Sequence, residues 1–188
     1  EEVVILLEMS IQNLTTNNDA NKIDSKDFLE RVDCLSALGY PVAISNYGEF
    51  HRLAAYLFRY TQKMIGITMG VPTLKEVFNE KYYDDLAGGI LESFGRLFKN
   101  DLKLYVYPWE EPATSSLVTA TNLLVDSHLR HLYQYLYENQ FIQPLRDFDS
   151  KCLSISSNDA LDMIKGLGIV LRQETVSRRL IDVIDKSY

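Results

Sequence analysis

Cysteine is scarce. Cys34 and Cys152 are the only two in 188 residues, far apart in sequence and outside any metal-ligand spacing. That excludes a disulfide-stapled secreted scaffold and a cysteine-rich zinc module, and two reduced, buried thiols in a cytoplasmic protein are the expectation. Histidine is hardly more frequent. His128 and His131 are three apart and can share a helix face, His51 lies elsewhere, and no third ligand stands near enough for a metal to be expected. Long apolar runs are missing too. Val3 to Leu7 falls far short of the roughly 20 residues of a membrane span, and no basic stretch precedes it as in a signal peptide. Positive charge is in deficit: 19 Lys and Arg against 26 Asp and Glu leave a net charge of −7. A surface of that sign repels phosphate backbones, so neither nucleic acid nor membrane is an expected partner. The densest basic spots, Arg178–Arg179 and the scattered Arg52, Arg59 and Lys63, read as solvated helix faces.

What is present is ordinary globular material, 46% hydrophobic and 24% charged, in a chain long enough to bury roughly 70% of its unfolded surface without a staple. Val3 to Leu7 is a short β-branched run of the kind buried on both faces of a parallel sheet. Thr15 to Asn21 reads as a loop. Asp24 or Ser25 caps a helix with Phe28, Leu29, Val32, Leu35 and Leu38 on one stripe, and Gly39 and Tyr40-Pro41 end it. Val42 to Ser45 is a second strand. Asn46 and Glu49 have capping-box spacing, with Leu53, Ala54, Leu57 and Phe58 as the buried face of the helix that follows. Met64 to Met69 is a third strand, and Thr73 with Glu76 suggests another capping box. Ile90, Leu91, Phe94, Leu97 and Phe98 mark a helix, and Leu102 to Tyr107 is a fourth strand closed by Pro108.

Strands alternating with helices imply crossover units. The expectation is an α/β fold: a three-layer α/β/α arrangement around one small parallel sheet of four or five strands. Residues 1–111 would form that parallel domain and residues 112–188 a helical C-terminal extension packed on it. Glu110 to Ser116 reads as the linker. In the extension, Asp126 or Ser127 caps a helix to about Asn139, Asn158 caps another, and Val176 to Lys186 is a last amphipathic piece. The opening Glu1-Glu2, without an initiator Met, reads as the start of a fragment of a longer protein.

Ligands of open parallel sheets bind at the carboxyl ends of the strands. That rule nominates Glu8-Met9-Ser10, Ser45-Asn46-Tyr47-Gly48, Gly70-Val71-Pro72-Thr73 and Pro108-Trp109-Glu110-Glu111. At the second segment a hydroxyl and an amide stand before a helix N-terminus and can hold a phosphate oxygen, or Asn46 merely caps the helix. Asp84-Asp85, with Tyr82-Tyr83 and Gly88-Gly89, is either a polar ligand loop or a helix-to-helix turn with exposed acids. Trp109 is either a lid or a plug.

The order of these segments resembles the haloacid dehalogenase-like (HAD-like) fold, a Rossmann-like class. In that family the first strand ends in Asp-x-Asp, a later one in Ser or Thr, a Lys follows, and acidic residues after a last strand hold magnesium. The resemblance implies catalytic roles for Glu8, Ser10 and Ser45, phosphate binding by Ser45, Asn46 and Lys81 (or Lys75), and magnesium, if the site works at all, on Glu8, Glu110 and Glu111. Glutamate in place of the nucleophilic aspartate shifts the carboxylate by a methylene, and a misplacement of about 1 Å can cost a factor of about 100. Serine at the second position supplies no comparable general acid. A catalytically silent relative is the reading that follows.

A second resemblance covers nearly the whole chain. It rests on Ala43-Ile44-Ser45-Asn46-Tyr47-Gly48-Glu49, Arg52 to Leu57, Glu80 to Tyr83, Gly88 to Asp101 and Ser127 to Tyr133. These look like the C-terminal half of a bacterial family commonly labelled nicotinate-nucleotide adenylyltransferase or TonB-dependent receptor. The chain has no H-x-G-H turn for the first label, and its strand–helix alternation does not fit the β-barrel of the second. The resemblance implies assembly with an N-terminal region of the same protein or with a second copy. The alternative is a phosphate- or nucleotide-handling enzyme domain.

Overall fold

The computed structural model describes residues 3–11, 15–16, 19–23 and 25–153. The expectations for Asn158, for Val176 to Lys186 and for Arg178–Arg179 lie outside these residues.

The chain is mixed α/β, with its parallel strands divided between two small sheets. The first sheet pairs β1 (Leu7–Ser10) with β4 (Val42–Ser45), Leu7 standing opposite Val42 and Ser10 opposite Ser45. The expected strand at Val3 to Leu7 is thus displaced by four residues, and Pro41 explains why. Proline has no N–H to extend the ladder, so pairing starts where the Leu7 N–H meets the Pro41 carbonyl at 3.0 Å. Val3, Val4 and Leu6 are left exposed, not buried on both faces. Between the two strands, β2 (Thr15–Thr16) and β3 (Asp19–Ile23) form an antiparallel hairpin where composition suggested a loop. Helix α1 (Ser25–Ser36) follows, and its end is turned by Gly39 at φ +83°, a left-handed conformation cheap only for glycine.

The second sheet has the order β5 (Ile65–Gly70), β6 (Leu102–Tyr107), β9 (Ile142–Pro144), all parallel. Among the described residues no strand pairing joins the two sheets. Strand β6 is its centre and coincides with the expected span. Leu102, Leu104 and Val106 alternate inward and are buried almost completely. Gly66 on β5 is needed because a Cβ there would stand 2.8 Å from the Tyr105 ring.

Helix α2 (Phe50–Leu57) bridges the two sheets in sequence, and α3 (Val71–Val77) begins at the very end of β5. Neither expected capping box forms. Glu49 precedes α2 and Gly70 precedes α3, both without a side-chain cap. Pro72, with its φ already helical, starts α3 ahead of Thr73. A 3-10 turn at Glu80–Tyr83 leads to α4 (Gly89–Leu97).

Beyond Pro108 the chain is not all helical. Strands β7 (Trp109–Glu111) and β8 (Ser116–Val118) form an antiparallel hairpin across the expected linker, and β9 joins the main sheet after α5 (Arg130–Glu138). One core serves the second sheet, the helices around it and the segment beyond Pro108. Ala54, Leu74, Phe94, Leu104 and Val106 share it with Ala120, Leu129, Tyr133, Leu136 and Ile142. Trp109 packs against it half-buried, as a plug, with the Lys75 ammonium 5.2 Å above its ring. Among the described residues no helix is long and apolar enough to cross a membrane.

Candidate functional site

Residues at matching positions of parallel strands project to the same side, so β1 and β4 place Glu8, Ser10, Ala43 and Ser45 on one face. The Ser45 hydroxyl donates to Glu8 Oε1 at 2.5 Å, joining groups 37 residues apart. The same Ser45 oxygen accepts the Tyr47 N–H at 3.2 Å, a local turn that uses one of its two acceptor sites. Glu8 is exposed and Ser10 buried. Asn46 stands four residues before the start of α2 and does not cap it.

The other residues implied by the HAD-like resemblance are occupied elsewhere. Lys81 Nζ lies 3.6 Å from Glu76 and 4.6 Å from the centre of the Tyr82 ring. The Tyr82 hydroxyl donates to that same Glu76 carboxylate, which it holds below the usual range with help from Lys81. Glu110 and Glu111 are drawn into the β7–β8 hairpin, where Glu111 accepts the Thr114 hydroxyl at 2.8 Å. Among the described residues no three His, Cys, Asp or Glu side chains gather as a metal ion would require. Glu8, Glu110 and Glu111 therefore form no such group among the described residues. His128 does find an acid, Glu80, at 2.6 Å, as an exposed pair. The loop at Asp84-Asp85 is a turn between helices: Asp85 pairs with Arg52, Tyr83 points its hydroxyl at the Val77 carbonyl, and the Glu92 carboxylate accepts the Gly88 N–H.

A second constellation was not legible as a site. Helices α2 and α4 pack together, and the His51 Nδ1 meets the Ser93 hydroxyl at 3.1 Å across their interface. Along this seam lies a cavity of about 410 Å³ whose walls include His51, Arg52, Phe58, Arg59, Arg96 and Lys99. Arg52 and Arg59, read as a solvated face, thus border a concave surface. Two carboxylates, Glu49 and Asp85, hold Arg52, each at 3.3 Å, and Glu92 holds Arg96 at 2.5 Å. Arg59 and Lys99 have no ion pair among the described residues. The sequence does contain a signal: Leu57-Phe58-Arg59 and Leu97-Phe98-Lys99 end the two helices alike, each with Phe as C-cap. Periodicity weighs each helix alone and does not pair such ends.

His51 is only 4% exposed, and its Nε2 has no hydrogen-bond partner among the described residues. Burial pushes the imidazole below its ordinary value of 6.5, the charges of Glu49 and Asp85 working against this and those of Arg52 and Arg96 with it. A lowered folded-state value means the unfolded chain takes the proton first, so this contribution is present above about pH 6.5 and is lost as the pH falls toward the folded-state value. The melting temperature should accordingly fall between pH 7.5 and pH 5.5, and fall less in His51→Gln, whose amide can still reach Ser93. Equal slopes in the two proteins would remove His51 from the acid response.

No family model matches the chain, and no match emerges among curated proteins or among solved structures.

Proposed function

We propose that this chain is a catalytically silent α/β module, HAD-like in its layering, that works by assembly rather than by turnover. The observation that carries the reading is the hydrogen bond from Ser45 to Glu8. The hydroxyl of a phosphate-binding serine must be free to meet phosphate, and here it donates to the only carboxylate on that face of β1 and β4 while accepting from Tyr47. Ser10 supplies no general acid, and among the described residues no carboxylate set stands by to hold magnesium.

The assembly half of the reading is supported by the opposite face. Leu7, Met9, Val42 and Ile44 project there together, yet none is fully buried and Ile44 is 53% exposed. Parallel strands are ordinarily covered on both faces. A second copy of the chain is the occupant proposed, since the four side chains are uncharged and apolar, so the strip suits its own image in an isologous pairing.

Two measurements test this. The protein should not hydrolyse p-nitrophenyl phosphate with magnesium; turnover that disappears in Glu8→Ala would establish instead the alternative, a phosphate-handling enzyme at Glu8, Ser45 and Asn46. Light scattering should give the mass of a dimer that Ile44→Glu converts to monomer. A monomeric wild type at high concentration refutes the assembly.

A further inference from the structure

We propose that the cavity between α2 and α4 is a binding site for a small phosphate monoester, with the phosphate held by Arg59 and Lys99 and a polar group of the ester's organic part meeting His51. The proposal is independent of the β1–β4 rim and of the assembly reading.

Three observations converge on it. The first is the electrostatic balance of the seam. Cations beside helix C-termini often do no more than offset the helix dipole, about half a negative charge per helix, so two helix ends ask for about one positive charge. Arg52 and Arg96 are already paired, with three carboxylates between them, Glu49, Asp85 and Glu92. Arg59 and Lys99 remain, two positive charges on the wall of one cavity in a protein of net charge −7. The helix ends account for about one of these two charges, and neither side chain has a carboxylate partner among the described residues, so both stand open to an anionic ligand.

The second is His51. A buried polar nitrogen with no partner is rare, since an unmade hydrogen bond in the interior is costly. Nδ1 is engaged with Ser93, Nε2 is not, and the residue lines the cavity. Whichever ring nitrogen carries the hydrogen, Nε2 is left buried without a hydrogen-bond partner among the described residues.

The third is shape. His51 and Arg59 are eight residues apart on α2 and the turn that ends it, about 12 Å at helical rise. The volume, about 410 Å³, lies within the range of sites for small organic ligands, roughly 300–1,000 Å³. The wall between the two ends is apolar, formed by Ala55 and Phe58. A phosphate at one end, a short organic body and a hydrogen-bonding group at the other match this layout. Inorganic phosphate would satisfy only the cationic end and should bind more weakly.

Isothermal titration of the intact protein with glycerol 3-phosphate, inorganic phosphate and glycerol tests the assignment. Expected is an order of binding in that sequence, with glycerol giving no heat. Lys99→Gln and Arg59→Gln should each weaken both phosphate-containing probes by tenfold or more. His51→Gln should weaken glycerol 3-phosphate while leaving inorganic phosphate within a factor of two. Far-ultraviolet circular dichroism of each variant checks that it is folded, and Lys63→Gln, a change outside the cavity, should bind as wild type. Absence of binding to either phosphate, or binding that survives Lys99→Gln and Arg59→Gln unchanged, overturns the site. Glycerol 3-phosphate and inorganic phosphate bound equally, with no effect of His51→Gln, overturns the assignment of an ester.

Discussion

Leu104→Ala should lower the unfolding free energy by roughly 2–5 kcal/mol. Leu104 sits on β6, the central strand of the main sheet, and is 1% exposed. Its backbone N–H bonds the Phe141 carbonyl at 2.8 Å, so the strand is held on the β9 side as well as the β5 side and cannot easily slide to fill the void. The cost therefore combines lost transfer energy with an unrelaxed cavity. For a domain of marginal stability, about 5–15 kcal/mol in all, that is a large fraction. Urea denaturation should show a lower midpoint with an unchanged slope. Leu124→Ala, at a side chain 90% exposed, should change stability by less than about 0.5 kcal/mol. A loss below about 1 kcal/mol for Leu104→Ala would mean that the sheet repacks freely, and the view of β6 as its rigid centre would have to go.

How far the sequence discloses this fold depends on where the deciding contacts lie. Strand β6 could be read residue for residue because its alternation is local and Pro108 closes it. The end of α1 was legible for the same reason, Gly39 being the one residue that turns left at no cost. Strand β1 was misplaced because its limit is set by Pro41, a residue remote from it in sequence. Strand β9 was invisible: Ile142-Gln143-Pro144 is three residues long and ends in proline, and only its partner β6 makes it a strand. The division into two sheets is likewise a matter of which edges meet, which composition does not encode.

The sites follow the same rule. Parallel register brought Glu8 and Ser45 together as the alternation of strands and helices implies. Their chemistry, a donor already committed to an acceptor, needed coordinates. The α2–α4 cavity joins residues such as His51 and Ser93 that are 42 apart, and its cations look on each separate helix like ordinary solvated ends.

The second large effect concerns Tyr133, whose hydroxyl donates to the Ala120 carbonyl at 2.5 Å inside the core. Ala120 is fully buried and Tyr133 nearly so. Tyr133→Phe keeps the ring and its edge contact with Phe78, at 5.2 Å between centres, and removes only the donor. The carbonyl then loses that partner in a place water does not reach, so the cost should be about 1–3 kcal/mol. Tyr135→Phe, at an exposed ring on the same helix, is the control and should be nearly neutral. Alkali gives an independent reading of the burial of the same hydroxyl. Burial pushes the Tyr133 hydroxyl well above its ordinary value of about 10, so the unfolded chain ionises first and the fold loses stability as the pH rises beyond that value. Tyr133→Phe should flatten that alkaline decline while starting from a lower stability at neutral pH. A variant as stable as wild type at pH 7, with an unchanged alkaline slope, would show that the Ala120 carbonyl is satisfied by something other than this hydroxyl and that α5 is not pinned to the main core through it.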